Sequence, residues 1–237
     1  MVLSKKMFQI HRFKSLLSTN TEAKNYPPNS VIIADIQTAG RGRFNRKWNS
    51  SEGGIYMSIV VEPLNDNLSI LTFLAALSVN KTLHEMFKLN SEIKWPNDIL
   101  FKGKKLCGIL AENIFQGDKK QMIIGIGINA NNKISKSIKA ISLGKILSKA
   151  TDNDSIISEV LKNFEDNFEK YYKTKKFSSI IQEFKKNCST IGKEVEIKTI
   201  TETIKGSAID IAEDCGLIIK TSDNITRKIY EGDIFTI

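Results

Sequence analysis

A short basic segment, Gly40-Arg41-Gly42-Arg43-Phe44-Asn45-Arg46-Lys47-Trp48, has the residue types that could bind and activate an anion. It places four cations and two glycines within nine residues, soon after an apolar run at residues 31–36. Glycine lets the backbone turn tightly and approach a ligand closely, and the planar arginine fork matches phosphate or carboxylate oxygens two at a time. Such a loop suits a reaction in which a carboxylate attacks a phosphate. Taken alone, the segment is explained equally well as a solvated basic turn or a nucleic-acid patch.

A second cluster, Lys94-Trp95-Pro96-Asn97-Asp98, puts a lysine at the end of a predicted strand. Proline fixes φ and removes a backbone donor, so it ends or borders a strand. Lys94 would then reach into a cleft, where an ammonium group can stabilise charge on an acyl phosphate as it forms and breaks. For a lone lysine, pairing with a surface carboxylate is the more ordinary explanation.

Glycines interrupt two further apolar runs, at residues 105–112 and 125–129. Glycine inside a strand often marks the close approach of a ligand or of another backbone. Ordinary bulges or tight packing explain either run by itself. The second run is not a dinucleotide-binding fingerprint, because it lacks the third glycine and no helix is predicted to open there.

The elements that must position these clusters alternate between strands and helices. Apolar patterning predicts strands at residues 8–13, 31–36, 55–61, 92–95, 105–113 and 121–129, with Gly117-Asp118 as a hairpin turn between the last two. Helices are predicted from about Thr21, over residues 68–87, after a cap at Asp154, and over residues 177–186. The polar stretch 130–153 is expected to form loops around a short element.

The texture of the sequence changes after about Cys188. Short apolar runs at residues 194–198, 204–211, 216–220 and 226–230 alternate with turn residues, which is typical of a small all-β barrel. The sequence therefore predicts two domains, residues 1–187 and residues 188–237.

Composition narrows the classes of protein. The 237 residues are 41% hydrophobic and carry a net charge of +9, which suits nucleic acid, anionic substrates or an acidic protein partner. No run approaches the roughly 18 apolar residues of a membrane span, and the N-terminus lacks the apolar stretch of a secretory signal. Three widely spaced cysteines without a CxxC pair argue against zinc and indicate reduced thiols in a cytoplasm.

Together, the order and spacing of the clusters strongly resemble those of the biotin protein ligases, also called biotin–[acetyl-CoA-carboxylase] ligases. The resemblance runs from about residue 10 to the end, because the terminal β segment matches the small SH3-like domain of that family. It rests on Ser18-Thr19-Asn20, Gln37-Thr38-Ala39-Gly40-Arg41-Gly42-Arg43 and Arg46-Lys47-Trp48, followed by the clusters at residues 94–98, 105–112 and 125–129.

The resemblance implies an α/β (α+β) fold. A mixed sheet flanked by helices, similar to the catalytic cores of class II aminoacyl-tRNA synthetases, would precede the small C-terminal SH3-like β-barrel. It also implies a reaction in two steps. The carboxylate of biotin attacks the α-phosphate of ATP, which gives biotinyl-5′-AMP and pyrophosphate. A lysine of an apo biotin carboxyl carrier protein then attacks the mixed anhydride and releases AMP.

The resemblance also carries cofactors and site residues onto this chain. Mg²⁺ would neutralise the phosphates, although no residue is assigned as its ligand. Lys94, Arg41 and Arg43 are the expected catalytic cations. The expected biotin-binding residues are Ser18, Thr19, Asn20, Gln37, Gly40, Arg41, Gly42, Arg43, Lys94, Ile99 and Gly125. The expected ATP-binding residues are Arg43, Arg46, Trp48, Lys94 and Asn129, with residues 130–143 as a flap over the adenosine.

Three features separate this chain from parts of the family. Many relatives carry Arg-Gly where it has Phe44-Asn45, so its loop is expected to be stiffer and less positive. Cys107 stands where a small residue is common, and inert burial is expected for it. The motif at Ser18 begins too early to leave room for the winged-helix domain of bifunctional relatives, so no DNA binding is expected. Relatives also form dimers edge to edge, and a homodimer is one of the oligomeric states that the sequence leaves open.

Three other functions were weighed against this one. A lipoate–protein ligase would show a different arginine- and glycine-rich signature with a histidine–aspartate pair, which this sequence lacks. A nucleic-acid-binding barrel would interleave aromatic and basic residues, whereas residues 189–237 contain only Tyr230 and Phe235 as aromatics. A catalytically silent biotin-binding module would not need the intact cations Arg41, Arg43 and Lys94.

Overall fold

A seven-stranded mixed sheet forms the larger part of the molecule. The computed structural model describes residues 8–62, 67–116, 119–174 and 177–237. The strand order is β1-β2-β3-β7-β6-β5-β4, with β1 and β2 parallel and the other neighbours antiparallel. The strands are β1 (Gln9–Leu16), β2 (Ser30–Gln37), β3 (Ile55–Val61), β4 (Glu92–Lys94), β5 (Asp98–Phe101), β6 (Lys104–Gln116) and β7 (Lys119–Ile128).

Helices cover both faces of this sheet. They are α1 (Thr19–Ala23), α2 (Leu68–Phe87), α3 (Leu143–Leu147), α4 (Asn153–Thr174) and α5 (Ser178–Asn187). Successive residues of a strand point to opposite faces, and β2 shows the division. Val31 and Ile33 join the main core with α2, α4 and α5. Ile32 packs on the other side with Ala23 of α1.

The C-terminal part is a five-stranded antiparallel sheet with the order β11-β10-β9-β8-β12. Its strands are β8 (Glu194–Lys198), β9 (Thr203–Ile211), β10 (Leu217–Lys220), β11 (Thr226–Ile229) and β12 (Asp233–Thr236). The predicted class, a mixed sheet flanked by helices and followed by a small all-β unit, is confirmed. The predicted boundary near residue 188 falls in the connection between α5 and β8.

The two parts share one hydrophobic core rather than sitting side by side. Trp95 is the largest side chain at the junction and is only 2% exposed. Its indole N–H donates to the Cys215 carbonyl at 3.0 Å, and its backbone N–H donates to Thr190 Oγ1 at 3.0 Å. This packing fixes β12 beside the end of β4, where Lys94 lies.

Several predicted elements keep their bounds, and two strands were missed. The predicted ranges 55–61, 68–87 and 194–198 coincide with β3, α2 and β8. The sequence analysis did not predict β5 or β12, because each has only four residues and begins at an aspartate. The predicted turn at Gly117-Asp118 lies outside the described residues.

The N-terminal cap of α4 is Asp152, so the prediction of Asp154 was wrong. Asp152 Oδ1 accepts from the backbone N–H groups of Asp154 at 3.0 Å and Ser155 at 3.3 Å, and Oδ2 accepts from Ser155 Oγ at 2.6 Å. The bonds from Ser155 lower the pKa of Asp152. Asp154 instead pairs with Arg12 at 2.6 Å. The cap satisfies backbone donors that the first turn of a helix leaves free.

The two aspartates give a matched test of this assignment. Asp152→Ala should lower the urea midpoint of unfolding clearly more than Asp154→Ala does, because an exposed ion pair contributes little whereas a lost cap leaves backbone donors unpaired. Because the pKa of Asp152 is depressed, its contribution is present above the pKa of the unfolded chain and is lost as pH falls through the folded value. Equal midpoints for the two variants would contradict the assignment.

Candidate active site

A cavity of about 690 Å³ opens on the α1 side of the large sheet. Its walls come from the start of α1, the basic loop at residues 40–48, the segment between β4 and β5, residues 134–140 and the start of β12. These pieces are far apart in sequence. The predicted site residues that line the cavity are Ser18, Thr19, Asn20, Gln37, Arg41, Gly42, Arg43, Arg46, Trp48, Lys94, Gly125 and Asn129.

Hydroxyl and amide groups are concentrated at one end of the cavity. Gln37 Oε1 accepts from the backbone N–H of Thr19 at 2.8 Å and from its hydroxyl at 3.1 Å, while Gln37 Nε2 donates to Ser50 Oγ at 2.8 Å. Ser58 Oγ donates to Asn20 Oδ1 at 2.6 Å and lies 2.8 Å from Thr19 Oγ1. Each of these side chains is therefore held in one orientation before any ligand arrives.

Gly125 makes room for Asn20 on the floor of this end. A Cβ atom at Gly125 would lie 2.2 Å from Asn20 Oδ1, far inside van der Waals contact. Gly125 pairs with Ser58 of β3 and with Leu110 of β6, so it lies in the middle of the sheet. The sequence predicted that a ligand or another backbone would approach this glycine closely. In the structure, the group that lies against it is the side chain of Asn20.

The indole of Trp48 covers a second place where the sheet has no side chains, at Gly108 and Gly127. Gly108 of β6 and Gly127 of β7 are paired in the ladder. A Cβ atom at Gly127 would lie 2.5 Å from the indole Nε1, and one at Gly108 would lie 3.0 Å from the ring. Lys105 Nζ lies 5.2 Å from the ring centroid, within cation–π range. The indole is thus a fixed aromatic wall, and its buried N–H has no hydrogen-bond partner among the described residues.

The cations at the other end are anchored by the C-terminal strand β12. Lys94 Nζ donates to the Ile234 carbonyl at 2.5 Å. Arg46 makes a two-pronged contact with Asp233, in which Nη1 donates to Oδ1 at 2.7 Å and Nη2 donates to Oδ2. Lys105 Nζ pairs with Asp98 at 2.6 Å. The C-terminal unit therefore contributes directly to this end of the cavity.

Burial disfavours the charged forms of two cations at this end of the cavity, Lys94 and Arg43. Desolvation lowers the pKa of Lys94, an effect opposed by the charge of Asp98 and, more weakly, of Asp233. Desolvation likewise lowers the pKa of Arg43, against the charges of Glu231, Asp233 and Asp98. A lowered pKa means that the surroundings disfavour the cation relative to water. An anionic ligand would relieve that penalty, so this end of the cavity is suited to phosphate or carboxylate.

Phe44 makes contacts within the basic loop that the sequence analysis did not predict. Its φ of 54° is in the left-handed region, where a bulky residue is rarely found. The Arg43 guanidinium carbon lies 5.0 Å from the centre of its ring and that of Arg46 lies 5.9 Å away. Where the sequence suggested only a stiffer loop with less charge, the structure shows an aromatic ring in contact with two neighbouring guanidinium groups.

Some predicted residues lie elsewhere or have other partners. Ile99 is fully buried in the main core and does not line the cavity, because it faces the α2 side of β5. Gly40 is also absent from the lining, since it packs against Ser50 and the Trp48 carbonyl behind the loop. Asn129 lines the cavity, but its amide donates to the Lys105 carbonyl at 3.3 Å and accepts from Asn132 at 3.2 Å.

No sequence pattern indicated that β12 contributes to the site. Asp233 and Ile234 reach the cavity from the far end of the chain, and short polar–apolar patterns like theirs are common on surfaces. Among the described residues, no group of three or more His, Cys, Asp or Glu side chains is placed to hold a metal ion. In the same part of the chain, no helix is long and apolar enough to cross a membrane.

Comparison with known proteins identifies the family. A family model described as the biotin/lipoate A/B protein ligase family matches residues 9–129, more than half of the 237 residues. The chain belongs to the biotin/lipoate A/B protein ligase family. A second model, described as the biotin protein ligase C terminal domain, matches residues 190–236. The biotin protein ligase family expected from the sequence motifs is thus confirmed.

Individual ligases of this family are similar over most of the chain. The bifunctional ligase/repressor BirA of Bacillus subtilis is 36% identical over 219 residues, which cover 89% of this chain and 67% of that relative. The biotin–[acetyl-CoA-carboxylase] ligase of Mycobacterium tuberculosis is 28% identical over 213 residues, covering 86% and 77%. The biotin protein ligase of Aquifex aeolicus in complex with biotin and ATP superposes with a TM-score of 0.85 at 31% identity, covering 95% and 97%.

The contacts of Phe44 predict how the loop of this ligase-family chain responds to mutation. Phe44→Gly removes the ring that both guanidinium groups contact and frees the backbone, so trypsin should cut at Arg43 and Arg46 several-fold faster than in the wild type. Phe44→Tyr keeps an aromatic ring and serves as the matched control. Mass spectrometry of the early fragments would measure the effect. Unchanged cleavage in Phe44→Gly would show that the ring does not order the loop.

Proposed function

We propose that this chain joins biotin to ATP as biotinyl-5′-AMP and then transfers biotin to a lysine of a biotin carboxyl carrier protein. The observation that carries the proposal is a single cavity with two chemically different ends. One end presents fixed hydroxyl and amide groups, and the other presents Arg43, Arg46 and Lys94. Such a cavity can hold an uncharged polar ring and a polyphosphate at the same time, with the reacting atoms between them.

The polar end suits the ureido ring of biotin. That ring has two N–H donors and one carbonyl acceptor, and the rest of the bicycle is apolar. Thr19, Asn20 and Gln37 supply oriented hydroxyl and amide groups, while Leu110 lines the cavity beside them. A few oriented polar groups in an apolar slot are what small-molecule recognition requires.

The cationic end suits the adenosine triphosphate. Trp48 and the apolar side chains of Ile134 and Ile138 line the cavity where a base could stack. Arg43 and Arg46 are available to phosphate oxygens, and their forks match phosphate geometry better than lysine does. Binding of ATP would require Arg46 to share or leave its contact with Asp233, which links nucleotide binding to the C-terminal strand.

The first chemical step needs charge stabilisation more than proton transfer. As the biotin carboxylate attacks the α-phosphate, negative charge builds up on the phosphate oxygens while pyrophosphate leaves. Lys94, fixed by the Ile234 carbonyl, and Arg43 would oppose that charge from a partly desolvated site, where electrostatic interactions are strong. The chain thus contributes mainly positioning and fixed positive charge, as in other phosphoryl-transfer sites.

Mg²⁺ would enter with the nucleotide rather than occupy a protein cage. It commonly binds through substrate phosphates with few or no protein carboxylates. The absence of a three-ligand cluster among the described residues and the pairing of Asp98 with Lys105 and Asp233 with Arg46 fit this mode. When bound, the ion would reduce the charge on the triphosphate, and no residue of this chain is assigned to it.

Three further parts of the proposal concern the acid that is activated, the protein that accepts it and the location of the enzyme. Biotin is preferred over lipoate because the C-terminal family model, the Mycobacterium tuberculosis relative and the Aquifex aeolicus structure are all described as biotin ligases. The carrier is an apo biotin carboxyl carrier protein, by analogy with those relatives. A cytoplasmic location is proposed because the three cysteines are free thiols, buried within the fold.

The experiment that tests the proposal is ATP–pyrophosphate exchange by the purified chain with biotin, with lipoate and with neither acid. Exchange that depends on biotin is expected, because only a formed acyl adenylate returns pyrophosphate to ATP. Exchange with lipoate alone would replace the proposed substrate. No exchange with either acid, in protein shown by circular dichroism to be folded, would refute an adenylating function.

Lys94 provides a specific prediction for the first step. Lys94→Ala should slow biotin-dependent exchange at least about a hundredfold, the usual cost of removing a charge-stabilising donor, while biotin binding by calorimetry remains measurable. Because burial lowers the pKa of Lys94, the wild-type rate should fall at a less alkaline pH than an ordinary lysine would dictate. Lys104→Ala, an exposed change on β6, is the control. A near-normal rate in Lys94→Ala would exclude the role.

Gly125 and Gly127 allow the two ends of the cavity to be tested separately. Gly125→Ala drives a methyl group into Asn20 and should raise the KM for biotin tenfold or more, with the KM for ATP nearly unchanged. Gly127→Ala instead displaces the indole of Trp48 and should chiefly raise the KM for ATP. Both constants come from the exchange assay. Equal effects of the two variants on both constants would contradict the assignment of the two ends.

A further inference from the structure

Glu112 lies beside the polar end of the cavity but does not line it. Its two carboxylate oxygens face two different parts of the site. Oε2 accepts from Asn20 Nδ2 at 2.5 Å, and Oε1 lies 3.7 Å from the guanidinium of Arg41. The side chain is 28% exposed and is therefore partly buried.

The contact with Asn20 decides which way that amide points. A carboxylate can only accept hydrogen bonds, so the NH₂ group of Asn20 must face Glu112. The same NH₂ group lies 3.3 Å from the Leu110 carbonyl, a second acceptor. The Asn20 carbonyl oxygen is then turned towards Ser58 Oγ and the bare backbone of Gly125. Glu112 therefore fixes the donor–acceptor pattern that Asn20 presents to a ligand.

The contact with Arg41 connects the same carboxylate to the basic loop. Arg41 Nη2 also lies 3.4 Å from Thr21 Oγ1 on α1, so the guanidinium is held at the rim between α1 and β6. Glu112 is in the middle of a ten-residue ladder between β6 and β7. It is thus a fixed point to which both the loop and the asparagine are attached.

We propose that Glu112 is a positioning residue that couples biotin binding to the placement of the basic loop. The inference rests on the proposed function and names a determinant of its substrate affinity. One oxygen orients Asn20 for the ureido ring, and the other draws Arg41 over the same end of the cavity. Biotin bound on a correctly oriented Asn20 is then covered by a loop held through the same carboxylate.

The test is a double-mutant cycle on Glu112 and Arg41. Glu112→Gln keeps the shape but removes the charge, and its own NH₂ group can compete with that of Asn20. It should raise the Kd for biotin about tenfold or more, since hydrogen bonds to charged groups are strong, with the KM for ATP within about twofold of wild type. Arg41→Gln should also weaken biotin binding. The double variant should be clearly less impaired than the product of the two single effects, because both changes break one connection.

Controls separate this role from a merely structural one. Glu92→Gln changes an exposed glutamate on β4 and should leave the Kd for biotin unchanged. Glu112→Asp, which restores the charge one methylene shorter, should recover part of the affinity lost in Glu112→Gln. If Glu112→Gln does not fold, Glu112→Ala in the same cycle carries the same expectation.

Two results would overturn the inference. One is a Kd for biotin within twofold of wild type in Glu112→Gln. The other is an effect that multiplies fully with that of Arg41→Gln, which would show that the two residues act independently. Either result with normal biotin-dependent exchange in the wild type would leave the proposed function intact. Absence of exchange in the wild type would instead refute the function itself.

Discussion

The site depends on the close approach of side chains to bare backbone in the middle of the large sheet. Gly125 admits Asn20, and the paired Gly108 and Gly127 admit the indole of Trp48. A Cβ atom at Gly125 or Gly127 would collide with these groups, so the polar and aromatic walls can reach the sheet only because glycine occupies those positions. Glycine leaves that face of the sheet with fewer side chains to pack. The opposite face, on the α2 side, packs in a continuous hydrophobic core.

Positive charge in a partly buried cleft is the second requirement. Burial lowers the pKa of Lys94 and Arg43, so the protein bears an electrostatic penalty until an anion binds. The acidic and carbonyl groups of β12 hold Lys94 and Arg46 in place meanwhile. The C-terminal unit is therefore better understood as a wall of the site than as a separate module, and the core shared across the junction keeps that wall in register.

The basic loop supplies part of this positive charge and is also held in place by contacts of its own. Phe44 takes an unfavourable left-handed conformation, yet its ring contacts the guanidinium groups on both sides of it. Glu112 holds the other side of the loop through Arg41. These contacts order the loop in part before ligand binds, which reduces the entropy that binding must overcome.

The family, the order of most elements and twelve of the residues that line the cavity were predictable from the amino-acid sequence. It could do so because helical periodicity in α2, strand runs such as β3 and ordered motifs are local properties of the chain. Other facts came from the folded structure alone: Ile99 faces the core, Asp152 caps α4, Asp233 and Ile234 reach the cavity, and Glu112 contacts both Asn20 and Arg41. Those facts depend on strand register and on packing between segments that are distant in sequence, and a local sequence pattern contains neither.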